Sequence, residues 1–194
     1  MTDAKFESVL ANFCSPVLMN EKISNLVSIH KKDIPNIHSL IKYYNYLFKK
    51  YDLVMTSVCE CSRRVLVFVY KKSLLSEHLR DKNVAEILNK YGYKNIDTLE
   101  GYINLLRSRI GHNDFPHEIG IFLGYPIQDV KGFINNRGKN YKYCGYWKVY
   151  ENIKQAKKIF RQYDRLRNVV TDKLKSGESI ENILNQSHSN YNIA

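Results

Sequence analysis

Apolar residues recur along the chain with two different periods, and the switches between them divide it into elements. Over residues 6–19, Phe6, Val9, Leu10 and Phe13 fall on one helical face, which Pro16 ends or kinks. Residues 25–30 read as a short strand. Pro35 and Asn36 then open a helix to about Tyr51, with Ile37, Leu40, Ile41, Tyr44, Leu47 and Phe48 at the 3–4 spacing of a core-facing stripe. Two β-type runs follow, 53–61 and 64–71, joined by a short polar turn, which predicts a hairpin. The second run is the most apolar in the chain and is expected at the centre of a sheet. A strand, a helix and a second strand in this order suggest a crossover unit.

The helical period returns over 73–92, where Gly92 suits a helix end, and over 98–110, where Asp97 is the expected N-cap. The sequence GHNDFP then interrupts it. Two short helical segments follow, HEIGIFLGY and PIQDVKGFINN, and a third β-type run is expected at 144–150. A long helix over about 152–176 stops at Gly177, and the polar stretch 187–194 is expected to fray. These elements predict an α+β fold. A small mixed or antiparallel sheet of about four strands (25–30, 53–61, 64–71, 144–150) packs with six or more helices in one globular domain, 1–186.

Composition narrows the class. Of 194 residues, 44% are hydrophobic and 25% charged, a balance that excludes wholesale disorder. The longest apolar run, 65–70, is too short to span a bilayer, and the N-terminus has no apolar signal region. A cytoplasmic protein without membrane insertion is therefore expected. Cys14, Cys59, Cys61 and Cys144 show no zinc-site spacing, so no metal site is expected and reduced thiols are the simplest account. Phosphate-binding glycine loops and the serine-hydrolase elbow are missing, which disfavours those chemistries.

Charge is concentrated. The formal net charge is +11, and residues 131–175 hold 13 basic against 3 acidic side chains. Such a field favours an anionic ligand or an acidic protein surface; nucleic acid is the alternative partner, and a merely solubilising surface the plain one.

The stretch FPHEIGIFLGYPIQDVKGFINNRGKNYKYCGYWKVY, 115–150, the basic helix KQAKKIFRQYDRLR behind it and Cys14-Ser15-Pro16 carry a resemblance. They are similar to an uncharacterised bacterial family catalogued as domain of unknown function 3793. The resemblance implies one intact domain over most of the chain and a faint association with redox or metal physiology. It brings no activity and no catalytic residue.

Four constellations carry candidate chemistry. Gly120, Gly124 and Val130 have the spacing of a helix-turn-helix, with Gln128, Lys131 and Asn135 as the residues that would face DNA; an ordinary tight turn between helices is the favoured reading, since Asp129 would oppose phosphate and Gly132 would weaken a reading helix. Tyr141, Tyr143, Tyr146, Trp147 and Tyr150 interleave with Lys139, Lys142 and Lys148, a pattern suited to stacking on a planar ligand while pairing with its negative charge. His117 and Glu118 open a helix, where Glu118 complements the dipole and His117 is a candidate base or ligand. Cys14 and Cys144 are candidate redox thiols, which with His117 define a redox- or metal-linked enzyme as the alternative to a non-catalytic binding module. The expected site lies where 115–126 meets 139–150, with His117, Tyr146 and Lys148 on a common concave surface, Cys144 nearby, and Glu118, Lys139, Lys142 and Trp147 as further ligand-binding candidates.

Overall fold

The computed structural model describes residues 3–110 and 115–191. Its elements in order are helix α1 (Ala4–Leu18), strand β1 (Ser24–His30), α2 (Ile37–Phe48), β2 (Leu53–Glu60), β3 (Arg64–Lys71), α3 (Lys72–Arg80), α4 (Lys82–Asn89), α5 (Leu99–Ile110), α6 (Ile119–Phe122), α7 (Ile127–Asn135), β4 (Tyr143–Cys144), β5 (Lys148–Val149), α8 (Ile153–Lys175) and α9 (Ile180–Tyr191). The architecture is α+β. The chain forms two compact units. One joins Met1–Lys72 to Tyr163–Ala194, and the other is the continuous stretch Ser73–Gln162.

In the first unit, β3 lies between β1 and β2 and is antiparallel to both. Its apolar run earns that place because a central strand has no open edge and is covered on its faces. β1 and β2 therefore run parallel to each other, connected through α2 with β3 inserted between them. Val65, Val67 and Val69 point to one face, where they meet Val27, Ile29, Leu53 and Met55 and the apolar sides of α1 and α2. Val170 of α8 and Ile180 and Leu184 of α9 complete this core. Asp3 caps α1 by accepting from the Phe6 N–H at 2.9 Å. Pro16 lies inside α1, which ends two residues later.

A buried carboxylate ties three helices of this unit together. Glu7 of α1 accepts from the Tyr44 hydroxyl of α2 at 2.8 Å and from the Ile180 N–H at the start of α9 at 3.4 Å. Burial, with the Glu7 carboxylate beside it, holds the Tyr44 hydroxyl above its ordinary range. The stretch from Ser187 continues α9 as far as Tyr191, and residues 192–194 lie outside the described residues. Most of the sequence GHNDFP, residues 111–114, also lies outside them.

Two expectations need correction. The 144–150 run is not a strand of the main sheet: it splits into β4 and β5, a separate two-stranded hairpin, so the main sheet has three strands. The chain reverses at Gly145–Trp147, where the Gly145 N–H bonds to the Trp147 carbonyl at 3.1 Å. A Cβ at Gly145 would collide with the Phe160 ring, so the backbone hugs α8 at the point where a continuous strand would have carried it past. The cap of α5 is Thr98, not Asp97: the Thr98 hydroxyl accepts from the Gly101 N–H at 3.1 Å.

The end of β3 carries a testable oddity. Lys71 is 1% exposed, and its ammonium donates to the Tyr51 carbonyl at 3.0 Å. Burial pushes its pKa down to about 8, against a smaller opposing pull from Asp52. An amine with a folded pKa below its unfolded one binds a proton on unfolding, so its cost to stability is relieved as pH rises from about 8 toward 10.5. Urea unfolding should show the native protein gaining about 2 kcal/mol relative to Lys71→Met between about pH 7 and pH 10. Parallel pH profiles for the two proteins would refute the assignment.

Candidate functional site

The second unit builds its site from a tight helical pair and the hairpin. Within α6, Gly120 faces Val130 of α7 so closely that a Cβ there would lie 2.9 Å from a Val130 methyl. Gly124, at φ +69°, turns the chain between the two helices. The Gly120–Gly124–Val130 spacing thus marks a real close crossing. His78 of α3 holds α6 from behind, its Nε2 lying 3.0 Å from the Ile121 carbonyl; burial lowers its pKa. Gly132 of α7 brings the backbone against the Tyr150 ring, where no side chain would fit.

Asp129 locks the hairpin onto α7. Its carboxylate is 5% exposed and accepts three hydrogen bonds: from the Trp147 indole N–H at 2.7 Å, the Tyr150 N–H at 2.7 Å and the Glu151 N–H at 3.3 Å. Trp147 stacks on Tyr125 with ring centres 5.2 Å apart and meets Phe160 of α8 edge-on at 4.5 Å. Burial pushes the Tyr125 hydroxyl up to about 12. The Tyr150 hydroxyl is also raised, by burial and then by Asp129, and has no hydrogen-bond partner among the described residues.

Between the helical pair and the hairpin lies a cavity of about 520 Å³. Of the ligand-binding candidates named from sequence, His117, Cys144, Tyr146, Trp147 and Lys148 line it, as do Gly120 and Val130 of the helical pair. Phe115, Tyr125 and Phe133 add aromatic rings to the wall, and Ile119, Leu123 and Val130 add aliphatic side chains. The His117 ring meets Phe133 edge-on at 5.3 Å. The Lys148 ammonium donates to the Gly138 carbonyl at 2.7 Å, 4.9 Å from the Tyr141 ring centre and 5.6 Å from that of Phe133. A cation is thereby held at the wall of an otherwise aromatic and aliphatic space.

The other named residues lie elsewhere. Glu118 is fully buried and does not line the cavity; it forms an ion pair with Arg109, and its second oxygen has no partner among the described residues. Lys139 and Lys142 are exposed and do not line it either. Gln128, Lys131 and Asn135 are exposed on α7. Cys14 belongs to the core of the first unit, where burial pushes its thiol up to about 12, whereas His117 and Cys144 belong to the second. Among the described residues no cluster of three or more His, Cys, Asp or Glu is placed to hold a metal ion, and no helix is long and apolar enough to cross a membrane.

Sequence reasoning missed Asp129 as the organising residue and Phe133, Tyr125 and Phe160 as its aromatic setting. A signal for Asp129 was present. It is the one acid between Glu118 and Glu151, in a stretch whose single tryptophan needs an acceptor for a buried indole N–H. Asp129→Ala removes that acceptor and strands two backbone donors. It should destabilise the protein by about 3 kcal/mol or more in urea unfolding. It should also shift the emission of Trp147, the only tryptophan, to longer wavelength in the native baseline. An unchanged midpoint and spectrum would show that the bracket is dispensable.

No curated protein and no solved structure matches this chain. A family model described as "Protein of unknown function (DUF3793)" matches residues 10–184, from the middle of α1 to the first turn of α9, and includes every residue that lines the cavity. The match covers far more than half of the sequence, and the chain belongs to the DUF3793 family.

Proposed function

We propose that the protein is a cytoplasmic, non-catalytic binding module whose cavity takes a flat, largely apolar organic anion. The observation that carries this reading is the placement of Lys148. It is a fixed cation in a wall made of Phe133, Tyr125, Trp147 and Tyr146, in a cavity of about 520 Å³, a size suited to a small ligand. Aromatic faces give a planar ligand its area, and the ammonium gives it one charge-assisted contact and an orientation. The polar groups around the cavity support binding over turnover. The Asp129 carboxylate is committed to three N–H donors, and His117 packs its ring against Phe133.

The single tryptophan in the wall makes the reading testable without a known ligand. Quenching of Trp147 is titrated with naphthoate and with its neutral counterpart naphthylmethanol. The carboxylate should bind about tenfold more tightly, the size of one charge-assisted contact, and Lys148→Met should abolish the preference. Equal affinity for the two probes, or no response of Trp147 to either, would overturn the reading.

A further inference from the structure

Among the described residues, the ion pairs leave one region out. Elsewhere, some cations have carboxylate partners: Lys31 with Glu60, Lys50 with Glu181, Arg167 with Asp164 and Lys175 with Asp172. Residues 131–161 hold nine Lys and Arg against a single acid, Glu151, and among the described residues no ion pair draws on any of them. In α8 the exposed cations Lys154, Lys157, Lys158 and Arg161 follow i, i+3, i+4, i+7. They form one stripe about 10 Å long, opposite the buried Ala156 and Phe160. The Lys157 ammonium sits 4.8 Å from the centre of the Tyr143 ring, which brings the stripe against β4.

From this we infer that the stripe is a docking surface for an acidic helix of a partner protein. Its cations have the 3–4 spacing that a second helix with Asp or Glu at the same spacing complements along one line of contact. Two other polyanions fit less well. A single-stranded nucleic acid binds such surfaces by stacking bases on open aromatic rings. Here Tyr143 is stacked on Phe160 beneath Lys157, and Tyr141 carries Lys148. An anionic membrane calls for apolar side chains to insert beside the cations. Two large hydrophobics exposed here, Tyr143 of the hairpin and Tyr141 just before it, both have an ammonium over the ring. The stripe is separate from the cavity lining, so the inference does not depend on the small-ligand reading.

The test uses the full chain and two synthetic helical peptides of identical composition. One has glutamates at i, i+3, i+4 and i+7 on a single face; the other has them scattered around the helix. Binding is followed by fluorescence anisotropy of the labelled peptide, with a DNA duplex, a single-stranded oligonucleotide and phosphatidylserine vesicles as competitors. The one-faced peptide should bind about tenfold more tightly than the scattered one and weaken as salt rises. Lys157→Glu with Arg161→Glu should abolish its binding while the unfolding midpoint stays in place. If that variant fails to fold, Lys154→Gln with Lys158→Gln should weaken the same peptide instead. Equal binding of the two peptides would mean charge count alone and overturn the inference. So would absence of binding at low salt, or displacement by nucleic acid or vesicles at lower charge concentration than the peptide.

Discussion

A carboxylate taken out of water is costly unless donors replace its hydration, and Asp129 meets that requirement with three N–H groups. Those donors come from the hairpin and from the two residues that follow it. Satisfying one charge therefore fixes where a whole segment lies. The Trp147 indole can reach Asp129 only if the chain reverses at Gly145, and the reversal fits only because Gly145 has no side chain to strike Phe160. Gly132 does the same service for the Tyr150 ring. The cavity is the space that remains between the helical pair and a hairpin so constrained.

The first unit uses the same device with a different acid. Glu7 sits among apolar side chains and links α1 to the Tyr44 hydroxyl and to the first turn of α9. Apolar contact alone would allow the helices to slide along one another, since it has little directionality. A buried acceptor with two distinct donors is satisfied in one arrangement only. Each unit thus combines a non-directional core with a buried carboxylate that fixes how its elements meet.

How far the sequence was legible follows from the same distinction. Elements governed by period were readable: the stripe of α2, the apolar run of β3, the long amphipathic α8 and the close crossing at Gly120 and Val130 all rest on local spacing. The 144–150 run defeated that logic. Its alternation of aromatic and polar residues is also the signature of a strand, and what breaks it is a contact with Phe160 and a hydrogen bond to Asp129, eighteen residues away from Trp147. The Asp97 cap failed more simply, because two capping residues stand side by side and the backbone selected Thr98. For the cavity, the crowding of His117, Cys144, Tyr146, Trp147 and Lys148 into a short stretch was visible, and these five do line one surface. Glu118 was misjudged because its partner, Arg109, lies on another helix and burial cannot be read from a neighbouring histidine.

The first unit is assembled from both ends of the chain, and Glu7 and Ile180 are separated by 173 positions. During synthesis its sheet and first two helices emerge long before the residues of α8 and α9 that cover them. The continuous stretch Ser73–Gln162 has no such wait and can close its own contacts while still near the ribosome. The segment before Ser73 thus emerges ahead of the second unit, yet its partners from Tyr163 onward follow that unit in the chain. Until they emerge, Val170, Ile180 and Leu184 are missing from its core, and the apolar side chains they cover stand open to water. Apolar surface left open in this way is what makes partly folded chains prone to aggregation in general.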